Sequence, residues 1–150
     1  MVLKDKINSD LKEALLSGDH FRAETLRGIK AVILNEEVAQ GKREDGIDDN
    51  VIEQLLAREL KKRNESAVIY ENAQRPELAE KERAEAKIIS EYLPKQVTED
   101  EIEAVVIRVI KNLGVSKQNE MGQVIGLVKK ELGNTADGAL IAKIVKNNLN

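Results

Sequence analysis

Aliphatic residues recur at helical spacing along almost the whole chain. Leu3, Ile7, Leu11 and Leu15 return every four residues and predict a first amphipathic helix. Ser17-Gly18-Asp19 ends it and can cap the next. Phe21, Leu26, Ile29, Val32 and Ile33 mark one face of a second helix that stops near Gly41. Residues 41–50 hold two glycines and four acidic groups and read as a mobile loop. Asn50 with Glu53 is a candidate capping pair for a third helix, which carries Ile52, Leu56, Leu60 and Ala67 on one stripe to about residue 73. Arg75-Pro76 interrupts it. Pro76 suits the first turn of a fourth helix, where a missing N–H costs nothing. That helix has a narrow apolar face of Ala79, Ala86, Ile89 and Leu93, and Leu93-Pro94 closes it.

Thr98 and Glu101 have capping-box spacing, and Glu99 and Asp100 complement the helix dipole. Ile102, Val105, Val106, Val109 and Leu113 follow as a fifth helix, with Gly114 as its stop. Met121, Val124, Ile125, Val128 and Leu132 form a sixth, stopped by Gly133-Asn134. Asp137 caps a last helix carrying Leu140, Ile141, Ile144 and Val145. No stretch alternates with period two, so the expected fold is all-α, with about seven helices and no sheet. The expected division is a multihelical domain over residues 1–95 and a small three-helix tail over 96–150.

Charge sharpens that division. The chain of 150 residues carries a formal charge of −3. Residues 1–95 are net −3, 96–103 net −4, and 104–150 hold seven basic against three acidic groups. The tail is therefore the basic part of an acidic protein. Cysteine is absent and there is one histidine, which excludes a disulfide framework, a thiol nucleophile and multi-histidine metal sites. No apolar run exceeds four residues, far short of a signal h-region or a spanning helix. The expectation is a soluble protein of the cytoplasm with no membrane association.

Few residues carry recognisable chemistry. The glycines form neither a phosphate-binding loop nor a dinucleotide fingerprint, and no nucleophile motif is present. We expect no catalytic residue, metal or cofactor. His20 reads as a solvated or capping histidine, and the acidic loop Glu44, Asp45, Asp48, Asp49 lacks calcium-loop spacing. Arg58, Lys61, Lys62 and Arg63 make the densest basic run, a solvated face or a secondary contact surface. Gly122 and Gly126 stand four apart on one helix, the spacing of close helix packing or of a closely approached backbone. The loop 133–138 opens the last helix, where free N–H groups can meet an anion unless Asp137 occupies them.

A set of motifs then occurs in one order: Leu26-Arg27, Asn35-Glu36, Lys62-Arg63-x-x-Ser66, Tyr70, Arg75, Leu78, Tyr92-Leu93-Pro94, Met121-Gly122-x-Val124-x-Gly126 and Ala136-Asp137-Gly138. Together they resemble the YqeY family over essentially the whole chain. That family is similar to the C-terminal helical and tail region of the B subunit of tRNA-dependent amidotransferases. The resemblance implies a GatB/YqeY-like helical module whose tail binds tRNA, with tRNA and amidotransferase or tRNA synthetase components as partners. In the amidotransferases the kinase and glutaminase centres lie elsewhere, so it implies no chemistry in this chain. Tyr92, Leu93, Pro94, Gly122, Gly126, Asp137 and Gly138 are then structural motif residues. The family often has Gly-Lys where Asn134-Thr135 stand here, which removes one cation from that loop.

The tail cations Arg108, Lys111, Lys117, Lys129, Lys130, Lys143 and Lys146 are the candidate RNA contacts. No aromatic side chain in the tail offers a stacking platform, so recognition would rest on backbone shape and charge. Two rival readings are a protein-interaction adaptor and, by family analogy alone, a carbon–nitrogen ligase with glutamine as amide donor.

Overall fold

The computed structural model describes residues 2–150 and shows the expected all-helical fold. Among the described residues seven α-helices follow one another: α1 (Val2–Ser17), α2 (His20–Ala39), α3 (Asp49–Asn72), α4 (Pro76–Ser90), α5 (Glu99–Leu113), α6 (Met121–Leu132) and α7 (Gly138–Asn148). Single 3₁₀ turns, Gln118–Glu120 and Gly133–Thr135, flank α6. The chain forms two compact units, Met1–Leu93 and Pro94–Asn150.

In the first unit the stripes of α1, α2 and α3 converge. Ile7, Leu11, Leu26, Ile29, Ile33, Ile52 and Leu56 form its core with Ile89 of α4 and Leu93 in the turn after it. Asp19 caps α2 by accepting from Arg22 N. Polar clamps tie the helices across long separations. Tyr92 Oη donates to Asp10 Oδ2 at 2.5 Å, and Arg22 donates to Glu91 at 2.9 Å. Lys4 Nζ lies 3.0 and 2.8 Å from the two carboxylate oxygens of Glu37, a residue only 1% exposed.

Three local expectations are corrected. Phe21 faces outward, because Ala23 and Thr25 take the inner positions of the first α2 turn. The segment joining α2 to α3 is pinned in the middle, with Ile47 buried in the core and Gly46 N donating to Lys42 O. Helix α3 starts at Asp49, ahead of Asn50, and Asp49 accepts from Leu3 N in the first turn of α1. The acidic side chain thus serves a neighbouring helix. Beyond Glu59, α3 runs beside α4 on small contacts, with Ala67, Ala79 and Ala86 buried.

In the second unit Ile102, Val106, Val109, Val124, Val128, Ile141, Ile144 and Val145 make the core. Thr98 Oγ1 accepts from Glu101 N, and Gly114 sits at φ 69°, the left-handed stop read from the sequence. Asp137 caps α7 by accepting from Ala139 N. Backbone bonds close the unit at both ends: Val97 N donates to Thr135 O, and Asn150 N to Ser116 O.

Candidate nucleic-acid interface

All seven candidate cations of the second unit are exposed. Their helical positions follow from the buried seams. Burying Ile102, Val106 and Val109 turns Arg108 and Lys111 outward on α5. Burying Val124 and Val128 does the same for Lys129 and Lys130 in the last turn of α6, and Ile141, Ile144 and Val145 do it for Lys143 and Lys146 on α7. Each helix of the tail thus presents a cationic pair to solvent.

The structure ties some of these groups into local arrangements. Arg108 Nη2 lies 2.6 and 2.5 Å from the Glu131 carboxylate oxygens, and that contact holds its guanidinium more firmly in the charged form. Its charge is therefore partly spent on α6. Gln118 Nε2 donates to Lys146 O and Leu149 O, which brings the Lys117 turn to the end of α7. Lys129 reaches the start of α7: a Cβ on Gly138 would sit 3.1 Å from its Cε and 3.2 Å from its Nζ. None of these three pairings is readable from spacing along one helix, because each joins residues in different elements.

Gly122 and Gly126 correct one reading of the sequence. Both are exposed, and a Cβ at either position would meet nothing within 4 Å. They do not serve helix packing. They leave a bare strip of α6 backbone on the same helical line as Lys129. At position 138 an added Cβ would meet the mobile end of the exposed Lys129 side chain, which can swing aside. Of the other motif residues, Tyr92 and Leu93 are buried, Pro94 opens the second unit and Asp137 caps α7.

The secondary basic run does not stay together. Arg58, Lys61 and Lys62 are exposed on α3, whereas Arg63 turns to α4 and bonds Glu85 at 3.0 Å and Glu59 at 2.7 Å. Among the described residues no group of three or more His, Cys, Asp or Glu is placed to hold a metal ion. No helix of the described residues is long and apolar enough to cross a membrane.

Comparison with known proteins places the sequence in a family. The family model described as Yqey-like protein matches residues 4–149. The chain is 29% identical over 126 residues to "Altered inheritance of mitochondria protein 41, mitochondrial" of Kluyveromyces lactis, covering 81% of this chain and 66% of that protein. It is 32% identical over 110 residues to the protein of that name in Lachancea thermotolerans, covering 71% and 57% of the two chains. A third, from Pyrenophora tritici-repentis, is 27% identical over 148 residues, covering 97% and 80%. The chain thus spans about two thirds or less of the first two relatives. These names overturn the expectation of a cytoplasmic protein. The relatives are named as mitochondrial, and neither the lack of a long apolar run nor the overall charge fixes a compartment.

Proposed function

This chain belongs to the YqeY family, and from that premise we propose that its C-terminal unit is a non-catalytic module that grips the phosphate backbone of a folded RNA, tRNA in the first place. The observation that carries the reading is the outward display of six cations by three short helices, with Lys117 in the turn before α6, in a chain that is otherwise acidic. Phosphate contacts supply affinity with little sequence information. That suits a surface with cationic pairs and no stacking aromatic. The bare strip at Gly122 and Gly126 supports the same reading, since a sugar–phosphate chain can come close to a helix that presents no side chain there. With Arg108 bridged to Glu131 and the others spread over three helices and a turn, fewer than seven cations face a ligand at once. Affinity should then lie in the non-specific range, on the order of 10⁻⁴ to 10⁻⁶ M at physiological salt.

Catalysis is assigned to partners. An amide transfer needs an activated nucleophile with a base in hydrogen-bond reach. The one histidine, His20, stands exposed at the start of α2. The role that fits is a tRNA-holding accessory to an amidotransferase or synthetase. An electrophoretic shift of total tRNA by the full chain at 50 and 200 mM salt tests it. Retarded tRNA at low salt and its release at high salt support the reading, and no retardation at either contradicts it.

A further inference from the structure

We propose a second interaction surface, on the first unit and independent of the RNA reading: the solvent face of α3 docks an amphipathic helix of a partner protein, one whose apolar strip is bordered by acidic side chains.

Helix α3 places its large buried side chains in its first half only. Up to Glu59, α3 buries Ile52, Leu55 and Leu56 in the core of its unit. Past that point only Ala67 is buried, against a partner helix that offers Ala79 and Ala86. The distal pairing is held by small residues and by ion pairs across the helices, Arg63 with Glu85 and Arg83 with Glu71. A two-helix arm of this kind gains most from large aliphatics on its inner side. Instead its aliphatics Val68 and Ile69 stand outside, 52% and 65% exposed. Both are β-branched and disfavour a helix relative to alanine. Neither local propensity nor burial explains them there, and such conflicts concentrate at functional surfaces.

The flanking charge says what covers them. Arg58, Lys62, Glu65 and Ile69 follow one line of the helix at i, i+4, i+7 and i+11, with Lys61 and Val68 on the adjoining line. All six are exposed. Three cations against one carboxylate precede an apolar pair. The complement is a helix that sets an apolar strip on Val68 and Ile69 and carboxylates on Arg58, Lys61 and Lys62. The basic run thus acquires a role that leaves out Arg63, which bonds Glu85 of α4; Lys62, 72% exposed, lies at a loose 3.8 Å from Glu59, a surface contact that a partner's carboxylate can replace.

The experiment uses the full chain, labelled with ¹⁵N. Three probes are titrated: a synthetic amphipathic helix with a leucine strip and glutamate flanks, the same helix with lysine flanks, and a short RNA duplex. We expect the glutamate-flanked helix to shift the amides of residues 58–69, and the lysine-flanked one to bind at least tenfold more weakly. Val68→Ala with Ile69→Ala should weaken the first helix at least fivefold. Because alanine is the better helix former, that variant should keep its helicity and melting temperature, so the loss reads as loss of the surface. Lys61→Glu with Lys62→Glu should narrow the preference for glutamate flanks. Equal binding of both helices, no shift in residues 58–69, or an effect there produced by the RNA duplex alone would overturn the proposal.

Discussion

The Tyr92 hydroxyl donates to Asp10 Oδ2 at 2.5 Å, joining positions 82 residues apart. Arg22 Nη2 lies 3.5 Å from the same hydroxyl and 2.9 Å from Glu91, and Lys6 Nζ sits 5.5 Å from the Tyr92 ring centroid. The end of α4 is thereby fastened to α1 and α2, immediately before the chain enters its second unit. Burial and the bond to Asp10 push the phenol well above its ordinary value of 10.0.

Replacing Tyr92 with Phe removes a hydrogen bond to a charged acceptor and leaves Asp10 short of a partner. The expected loss is about 1.5–3 kcal/mol, read as a drop of roughly 6–15 °C in the melting of the first unit. The sign with pH follows from the raised phenol. The folded form holds its proton more tightly than the unfolded one, so this stabilisation is complete below pH 10 and declines as pH rises beyond it. Circular dichroism melts at pH 8 and pH 11 should show the gap between wild type and Tyr92→Phe narrowing. A gap that widens at pH 11 would contradict the assignment.

Lys4→Met leaves the Glu37 carboxylate, 1% exposed, without its cation. Lys4 is itself about a third exposed, so screening reduces the effect; we expect a loss on the order of 2 kcal/mol. Adding Glu37→Leu should recover most of it, because the pair then becomes apolar. Denaturant midpoints of the two variants check this.

Gly122→Ala and Gly126→Ala should each raise stability by about 0.5–1 kcal/mol, since both glycines are helical and a Cβ meets open space. The same variants should weaken tRNA binding if the bare strip touches the RNA. Thermal melts and tRNA titrations on one sample set read both effects. Gain in stability with unchanged binding would free the strip of that role.

Limited proteolysis should cut first at residues 40–45. The following residues resist, because Ile47 is 1% exposed and buried in the core. Mapping the first cleavage by mass spectrometry decides between this and uniform cutting through 41–50.

The sequence made the helices legible because their buried seams, caps and stops are local. Thr98, Gly114, Pro76 and Asp137 act where spacing places them. What it hid depends on which element lies opposite. Glu37 reads as one more charge on α2 until Lys4 of α1 is seen beside it. Asp49 reads as loop acidity until it is found bonding Leu3 N. The spacing of Gly122 and Gly126 suits packing or exposure, and only the open space a Cβ would meet at both positions decides. The candidate cations were visible as composition, but the pairing of Arg108 with Glu131, 23 residues away, was not.

The most direct test of the RNA reading is a titration of labelled tRNA against three full-length proteins: wild type, Lys129→Glu with Lys130→Glu, and Lys61→Glu with Lys62→Glu. Each phosphate neutralised adds about −0.9 to the slope of log affinity against log salt for a duplex. On the RNA reading the α6 double variant binds at least tenfold more weakly with a flatter salt slope, while the α3 variant stays within about twofold of wild type. Unchanged binding after the α6 substitutions, or loss only after those on α3, would contradict it.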